Sequence, residues 1–500
     1  MIARNARWTL ALAATSCLLF AACGSEVPPN EFVGAQGGAG NGNLGGDGTL
    51  APSAAAGSQG AIAANANGGS NGGSNGGSNG GSNGGGGGGS NGGSNGGSGG
   101  GGGTKIGGAV TGVKAGSCAG FKNGQGITST TINLANVADL SGPVEQLFKS
   151  VQTATMAYAA YFNSTSSICG RKLKVQGLDS GTSESGDQQA SQTACGSAFA
   201  MVGSMGAFDA GGADTVAHCG IPDIRAAATE TTRQRSPVTF GAYSLNTSEI
   251  PTAPFTYFKS LGDAYKHAAF VYLDAGASSL NARSFIAGEE KMGYKFIYKQ
   301  AISVKGGLIP YDSYAKNMSH AGVKYVQYIG SAAPYAGQLK AAIDNESKNT
   351  PGFKPIFVMD PTGYSKDYTG SGSATNGTYV FDAGPLFEEA NRNPQVAAYL
   401  QWLQRTSGGT PTFYGVYAWS AAALFTHIAI QLGGKLSRST MLAELRKVHN
   451  WTNAGMAPPN DVAGKHTPKC LSVIQYSGGR WVRKTPYPYT CSGSVNSGVS

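Results

Sequence analysis

The sequence predicts an α/β fold made of two parallel sheets, each flanked by helices. Apolar runs typical of buried strands alternate with helical patterns along most of the chain, and this alternation favours parallel sheets. It falls into two sets, residues 131–243 and 268–381. A final helical portion, residues 396–432 with 441–449, is expected to return to one of the two sets.

The first set opens with the apolar run Thr131–Ala138, which predicts a buried strand. Leu140-Ser-Gly-Pro143 then breaks the chain, and a proline there is well placed to open a helix. From Glu145 to Phe162, apolar residues recur at spacings of three and four, which predicts a helix with one apolar face. The other expected elements of this set are strands at 172–176, 198–203 and 221–225 and helices at 187–195 and 213–218.

The second set repeats the pattern. Its expected elements are strands at 268–273, 295–298, 325–329 and 355–359 and helices at 279–291, 311–320 and 336–345. Two such sheets with several crossings between them place the carboxyl ends of their strands around a shared crevice. Ligands bind in such crevices in open α/β folds.

The chain before these sets has a composition unsuited to a core. About 35 of the 79 glycines lie between Gly34 and Gly108, and Asn-Gly-Gly-Ser recurs from Asn67 to Ser98. We therefore predict a disordered linker over residues 23–114, with an end-to-end distance of roughly 50 Å. Overall composition excludes a coiled coil, a collagen and a polytopic membrane protein.

The N-terminus has the pattern of an export signal over residues 1–22. Two arginines precede an apolar stretch, Trp8–Phe20, that is short for a membrane span. The small residues before Cys23 resemble the bacterial lipobox, although Phe20 stands where leucine is usual. The resemblance implies lipidation of Cys23; the alternative is an ordinary signal peptide cut after Ala22.

Six cysteines remain in the globular part, and an exported chain with an even number suggests disulfides. Six cysteines allow fifteen pairings, and we predict pairing between near neighbours. The expected bonds are Cys118–Cys169, Cys195–Cys219 and Cys470–Cys491. The chain has no C-x-x-C, and its histidines lack metal-ligand spacing, so we expect no metal and no other cofactor.

Several short motifs, in order along the chain, resemble type I periplasmic binding proteins of the leucine/isoleucine/valine-binding group. The resemblance extends over residues 126–483. Its motifs are Gly126-Ile-Thr, Thr131-Ile-Asn-Leu-Ala, Asp139-Leu-Ser-Gly-Pro143, Ala200-Met-Val-Gly203, Gly220-Ile-Pro222, Asp312–Met318 ahead of Ala321-Gly-Val, Trp419-Ser-Ala-Ala and Pro468-Lys-Cys470.

The resemblance implies a binding domain of two lobes that are joined by a hinge of three strands and close on a small ligand. One lobe would comprise about residues 115–244 and 385–455. The other would comprise about 245–384 and 456–491, and a flexible tail over 492–500 would follow.

Ligand contacts in the first lobe are implied by the same resemblance at two loops. These residues are Ala207, Phe208, Asp209, Ala227, Ala228 and Thr229. The family places a hydroxyl where this chain has Ala207, so a ligand carboxylate would lose one side-chain donor. Phe208 could be a pocket wall or packing between lobes, and Asp209 and Thr229 could be helix caps.

In the second lobe the implied contacts are Asp274, Tyr335, Asp360 and Thr362. The acidic residue that holds a ligand ammonium in the family falls at Thr362, two residues after Asp360. Asp360 could instead cap a helix, Asp274 could belong to a turn, and Tyr335 could cover the rim. These departures put a free aliphatic amino acid in doubt but leave the architecture intact.

Other function classes have little support. The sequence lacks G-x-S-x-G, H-E-x-x-H and a P-loop, so we expect no enzyme. The net charge of +9 is dispersed, and export would separate the protein from nucleic acid, so no nucleic-acid partner is expected.

The expected function is that of a monomeric solute-binding lipoprotein of an ABC importer, held by its lipid on the outer face of the bacterial cell membrane. Its partners would be a permease and a small solute, namely a branched-chain amino acid, an amide or a related small polar metabolite. The alternatives are a sensing or orphan binding lipoprotein, an envelope enzyme on the same scaffold, and a lobe pair that binds a protein.

Overall fold

The computed structural model describes residues 103–499, with 111, 143–144 and 305–306 left out. The predicted export signal, the lipidation site at Cys23 and the linker up to residue 102 lie outside the described residues. The described chain forms an α/β fold with helix-flanked sheets, as the alternation of strand and helix patterns predicted.

The first lobe contains a five-stranded sheet in the order β2-β1-β3-β4-β5, with every neighbouring pair parallel. Its chain-order elements are β1 (Thr131–Ala138), α1 (Glu145–Thr165), β2 (Lys172–Asp179), α2 (Glu184–Ser197), β3 (Ala200–Val202), α3 (Ala213–Cys219), β4 (Asp223–Arg225), α4 (Thr231–Arg235) and β5 (Thr239–Gly241). The short strand β5 and the helix α4 had no clear periodic signal in the sequence.

The second lobe contains a mixed sheet in the order β13-β12-β11-β10-β9-β7-β8. Strands β7 to β11 pair with one another in parallel, whereas β12 runs antiparallel to β11, to β13 and to β14. The elements of the first stretch are β6 (Glu249–Pro251), α5 (Ala253–Ser260), β7 (Ala268–Leu273), α6 (Ala277–Lys291), β8 (Phe296–Ile302), α7 (Tyr311–His320), β9 (Tyr325–Ile329), α8 (Gly337–Asn349), β10 (Ile356–Met359), α9 (Lys366–Thr369) and β11 (Tyr379–Asp382). The chain then returns to the first lobe. When it comes back to the second lobe, it forms β12 (Cys470–Ser477), β13 (Arg480–Arg483), β14 (Thr490–Cys491) and β15 (Ser494–Asn496).

The late helical portion returns to the first lobe, where its apolar residues join the core of the five-stranded sheet. It is three helices, α10 (Pro394–Ser407), α11 (Phe413–Leu432) and α12 (Arg438–Leu445). The helical portion predicted over 396–432 contains two of them, α10 and α11, which are separated where Gly408 takes a left-handed φ of +61° and Pro411 follows it.

Helix α11 is the central helix of the first lobe. Among the described residues, one helical stretch, Phe413–Lys435, is long and apolar enough to cross a membrane, with a mean hydropathy of 1.3. Of its apolar window, 89% is buried inside the lobe. We therefore identify it as a core helix that packs on the parallel sheet.

Both ends of the described chain differ from expectation. Ala109, Val110 and Val113 are buried in the first-lobe core, so apolar residues before 114 join the fold instead of the linker. The tail predicted over 492–500 contains β15, which pairs antiparallel with β6. Backbone pairing on an open sheet edge orders this segment without an apolar signal in the sequence.

Three disulfides join Cys118 to Cys169, Cys195 to Cys219 and Cys470 to Cys491. The pairing of near neighbours is therefore confirmed. The first bond fixes the segment before β1 to the turn before β2, and the third bond lies across the antiparallel pair β12–β14.

The chain passes between the lobes three times, after β5, after β11 and before β12. At the third crossing, Met456 and Val462 pack in the first-lobe core, so the return to the second lobe comes later than the expected residue 456. The Asn460 side chain ties this crossing to the first one. Its amide donates to Ala242 O (2.7 Å), and its Oδ1 accepts from Ser244 N (3.0 Å).

Candidate functional site

The carboxyl ends of the parallel strands of both lobes lead into loops that approach each other. One such approach joins the loop after β3 to the loop after β7. A Cβ atom built on Gly276 would lie 2.9 Å from Ala207 O and 3.4 Å from Cζ of Phe208. The Phe208 side chain thus packs against the opposite lobe, as one of its two predicted roles required.

The loop after β3 is fixed by Asp139, which follows β1 directly and is buried. One carboxylate oxygen accepts from Ala207 N (2.8 Å), and the other accepts from Ser180 Oγ (2.6 Å) and Thr182 N (3.1 Å). Asp139 therefore holds together the loops after β1, β2 and β3. Sequence reasoning did not single it out, although its place immediately after a strand was a usable signal.

Two of the predicted first-lobe ligand contacts bind protein groups instead. Asp209 is inaccessible to solvent, and it accepts from the backbone N–H groups of Thr229 (2.8 Å) and Glu230 (3.0 Å). The Thr229 hydroxyl donates to Gly206 O (2.6 Å). Asp209 therefore holds the backbone of the segment that enters α4 and is not the cap residue of α3 or α4, and Ala227 and Ala228 are buried in that segment.

A network of buried charges lies behind these loops. Arg225 contacts Asp209 (3.2 Å) and Asp223 (3.6 Å), while Arg233 contacts Asp223 (2.8 Å) and Asp187 (3.1 Å). Three carboxylates thus face two guanidinium groups. Burial raises the pKa of Asp187 to about 6, although Arg233 and Arg225 oppose the shift. When Asp187 is protonated, the two remaining carboxylates balance the charges of the two guanidinium groups.

In the second lobe, Asp360 directly follows β10 and caps a short 3-10 turn by accepting from Thr362 N (3.2 Å). The Thr362 hydroxyl contacts the same carboxyl and also lies 2.7 Å from Gly330 O. A hydroxyl has one proton to donate, so a protonated Asp360 satisfies both contacts. Burial raises the pKa of Asp360 to about 7, which agrees with that arrangement.

Tyrosines from both lobes lie within electrostatic range of Asp360. On the second-lobe side, Tyr328 interacts electrostatically with Asp360, Tyr311 and the half-buried Tyr335. On the first-lobe side, Tyr414 interacts with Asp360, and its ring stacks on Phe148 with centroids 5.5 Å apart. Burial raises the pKa of Tyr311, Tyr328 and Tyr414 further above neutrality, so these phenols are uncharged.

Asp274 is exposed, and its carboxylate accepts from Ser279 Oγ (2.7 Å) at the start of α6. It therefore belongs to the turn that leads into that helix, the second of its two predicted roles. The structure joins Asp360 to Thr362 by hydrogen bonds, and Tyr335 shares with Asp360 the neighbour Tyr328. Asp274 bonds instead to Ser279.

Another carboxyl with a raised pKa lies at the hinge. Asp382 ends β11, is buried and accepts from Gly384 N (2.8 Å). Burial raises its pKa to about 7, while the backbone of Gly384 and the hydroxyl of Tyr417 act in the opposite direction. The Tyr417 ring stacks on Tyr243 with centroids 4.4 Å apart. The carboxyl of Asp382, from the second lobe, thus lies near the stacked rings of Tyr243 and Tyr417, from the first lobe.

The described residues include no group of three or more His, Cys, Asp and Glu side chains placed to hold a metal ion. The groups gathered at the facing strand ends are backbone amides, phenols and one protonatable carboxyl. Such groups bind and orient a small molecule through hydrogen bonds and ring contacts.

Comparisons with known proteins agree with this architecture. A family model described as "Periplasmic binding protein" matches residues 131–480. No curated protein sequence matches the chain.

Solved structures with the same fold share little sequence. A fatty acid ABC transporter substrate-binding protein from Thermomonospora curvata has 15% identity and a TM-score of 0.61, covering 75% of this chain and 95% of its own. A solute-binding protein from R. palustris in complex with benzoate has 13% identity and a TM-score of 0.60, covering 73% and 99%. A branched-chain amino acid transporter substrate-binding protein from Streptococcus pneumoniae in complex with isoleucine has 14% identity and a TM-score of 0.58, covering 71% and 100%.

Proposed function

Because the chain belongs to the type I periplasmic binding protein family, we propose that it is an extracytoplasmic solute-binding lipoprotein of an ABC importer. It captures a small molecule in the crevice between its lobes. The observation that carries this proposal is that groups of opposite lobes come together at the crevice: Gly276 lies against Ala207 and Phe208, and Asp360 interacts electrostatically with Tyr414. A ligand between them contacts both lobes at once.

Contact with both lobes explains how binding becomes a signal. A ligand that touches one lobe binds the open and closed states equally and shifts neither. A ligand that touches both binds the closed state more tightly, and this difference in affinity drives closure. A permease then distinguishes loaded from empty protein by its shape.

The ligand chemistry follows from the crevice groups. Uncharged phenols and the stacked pair Phe148–Tyr414 favour a ligand with a flat or apolar body. Burial raises the pKa of Asp360 to about 7, and a protonated carboxyl favours a neutral hydrogen-bonding group over an ammonium. Ala207 offers no hydroxyl to a ligand carboxylate. An amide or a related small polar metabolite therefore suits the crevice better than a free aliphatic amino acid.

The N-terminal segment supplies the attachment. Lipidation of Cys23 would hold the protein at the membrane, and the glycine-rich linker would let the binding domain move over roughly 50 Å. Such confinement raises the effective concentration at a permease toward the millimolar range, so weak docking suffices.

Ligand binding is tested on the full-length chain in two steps. Native mass spectrometry looks for a small molecule retained from the host, and a thermal-shift panel covers amides, amino acids, aromatic acids and sugars. A ligand at 100 times its Kd adds about 2.7 kcal/mol to the free energy of unfolding. With no retained molecule and no shift across the panel, the proposal fails.

The site of binding is tested with two variants of one residue. Tyr414→Ala removes the first-lobe ring and should weaken a ligand found in the panel by at least about tenfold, since a buried aromatic contact is worth about 1.5 kcal/mol. Tyr414→Phe keeps the ring and its stacking on Phe148, so it should bind within about threefold of the parent. Equal affinity in all three proteins would place the ligand elsewhere.

A further inference from the structure

A row of lysines, the basic edge, lies at the end of the second-lobe sheet that is opposite to the crevice. Lys266, Lys295, Lys324 and Lys354 come one or two residues before the parallel strands β7, β8, β9 and β10. All four are exposed. They are about 30 residues apart along the chain, so their charge looks dispersed in the sequence, and the fold brings them to one edge.

Backbone hydrogen bonds show that these strand ends are direct neighbours. Lys324 N donates to His267 O (2.8 Å), and Lys324 O accepts from Ile356 N (2.9 Å). Lys295 O accepts from Ala268 N (2.9 Å). Neighbouring strands are about 4.8 Å apart, so the basic edge is a row roughly 15 Å wide.

Most of this charge has no partner within the described chain. The three lysines before β8, β9 and β10 form no ion pair with a described residue. Lys266 pairs with Asp263 (3.1 Å), but 46% and 75% of the two side chains remain exposed. Another acid at this end, Glu290, is held by Lys299 (2.8 Å). The basic edge therefore carries uncompensated positive charge, which attracts an anionic surface over about one Debye length.

Two exposed aliphatic side chains lie beside the lysines. Leu261 follows α5 and is 41% exposed, and Ile297 is the second residue of β8 and is 45% exposed. Ile297 and Lys295 are two residues apart at the start of one strand, so they project to the same side. Aliphatic groups on a basic surface suit a bilayer, because they enter its interface while the lysine ammonium groups stay at the headgroups.

The turn that carries Leu261 is fixed to this edge. Lys259 Nζ donates to Met292 O (2.9 Å) and lies 5.2 Å from the centre of the Tyr265 ring. The backbone oxygen of Tyr265 in turn accepts from Lys295 N (3.0 Å). This turn and the start of β8 therefore form one continuous surface.

We propose that the basic edge docks on an anionic phospholipid bilayer. Its four lysines face the phosphate headgroups, and Leu261 and Ile297 enter the interface. A bilayer fits better than a soluble polyanion, because a polyanion supplies charge but no apolar layer for these two side chains. The crevice lies at the opposite ends of the same strands, so docking leaves the crevice clear of the bilayer. Docking needs neither the solute nor a lipid on Cys23, so it can fail while the proposed function stands.

Sedimentation with vesicles tests the role of charge. The full-length chain with Cys23→Ser, which cannot be lipidated, is mixed with vesicles of phosphatidylcholine alone or of an equal mixture with phosphatidylglycerol. We expect binding to the mixed vesicles to be at least about tenfold tighter. This preference should disappear at about 1 M salt, where the Debye length is about 3 Å. Equal binding to the two kinds of vesicle at low salt would overturn the proposal.

Two pairs of substitutions locate the contact. Lys295→Gln with Lys324→Gln should weaken binding to the mixed vesicles about thirtyfold, the effect of two lysines near an anionic surface. Lys114→Gln with Lys122→Gln removes two exposed charges of the first lobe and should change the affinity less than about threefold. Equal losses in the two proteins would show that net charge governs binding and would contradict a role for the basic edge.

The two aliphatic side chains distinguish a bilayer from a soluble polyanion. Leu261→Ser with Ile297→Thr keeps the charge and should weaken binding to the mixed vesicles at least about tenfold. Binding to polyphosphate, measured by calorimetry, should not change. Unchanged vesicle binding in this variant, with circular dichroism equal to that of the parent, would mean that the partner is a soluble polyanion and that the proposal is wrong.

Discussion

The guanidinium of Arg225 lies 3.2 Å from the carboxylate of Asp209, and neither side chain is accessible to solvent. Arg225 ends β4, and Asp209 belongs to the loop after β3. Because Asp209 also accepts from the backbone of Thr229 and Glu230, this ion pair joins the ends of two strands to the loops that follow them. The crevice loops of the first lobe are therefore positioned by charges behind them.

Among the residues of this network, Arg233 should cause the largest loss in the free energy of unfolding when it is replaced. Arg233→Met leaves Asp223 and Asp187 without their nearest cation, and breaking one side of a buried ion pair costs about 3–5 kcal/mol. Urea unfolding followed by circular dichroism should show this decrease in the free energy of unfolding. Arg235→Met, on the exposed side of α4, should change it by less than about 0.5 kcal/mol. Equal effects of the two changes would contradict a structural role for the network.

Asp382 should make the protein less stable as pH rises. Its pKa is raised to about 7 in the folded state, from an ordinary value of 3.8, so the folded state binds more protons than the unfolded state between these values. The free energy of unfolding therefore falls from pH 4 to pH 7 by up to about 4 kcal/mol.

Asp382→Asn keeps the shape of the side chain and removes this contribution. Unfolding by urea at a series of pH values should show the variant and the parent to be nearly equal at pH 4, where the carboxyl is protonated, and the variant to be more stable at pH 8. If the parent instead becomes more stable than the variant as pH rises, Asp382 is stabilised as an anion and the prediction is wrong.

The sequence predicts the fold well where one physical signal dominates. Strands such as β1 and β9 are mainly apolar and almost entirely buried, as is typical of parallel strands covered on both faces. The disulfides follow from export and from short separations along the chain. Segments whose order comes from distant partners were missed. β15 pairs with β6 across more than 240 residues, and its own sequence has no strand signal.

The candidate site was predictable as a set of loops but not as a set of contacts. Asp209 and Asp360 both follow buried strands, and in sequence they look equivalent. Asp209 faces Arg225 behind its loop, whereas Asp360 faces tyrosines from both lobes. The direction in which a side chain points after a strand depends on the local turn and on whether an oppositely charged side chain lies nearby. Arg225 lies 16 residues away from Asp209, so the pattern around Asp209 alone does not reveal this partner.

The disulfides should stabilise the first lobe according to the loops that they close. In the chain-entropy account, loss of Cys118–Cys169, which spans 51 residues, costs about 4 kcal/mol, and loss of Cys195–Cys219, which spans 24, costs about 3.5 kcal/mol. Paired Cys→Ala variants compared by calorimetry should both melt below the parent. A variant that melts at the parent temperature would show that its bond contributes nothing to the fold.

Cys23 should determine membrane attachment if it is lipidated. Cys23→Ser removes the acceptor thiol, and we expect the protein to move from the membrane fraction to the soluble extract, as followed by immunoblotting after fractionation. Cys17→Ser, inside the apolar stretch of the export signal, is the matched control and should leave attachment unchanged. Membrane attachment that persists in Cys23→Ser would favour retention by another part of the chain.

Gly276 should be essential for closure of the lobes, because it lies where they touch. In Gly276→Ala the added Cβ would stand 2.9 Å from Ala207 O, which is closer than van der Waals contact allows, and the lobes must separate to accept it. The expected result is a larger radius of gyration in solution scattering and a ligand affinity at least about tenfold lower. Gly262→Ala is the control: Gly262 also has a positive φ, but no atom lies within 4 Å of its added Cβ, so this variant should lose stability and keep its affinity. Equal affinities in the two variants would mean that the ligand is held without closure at this contact.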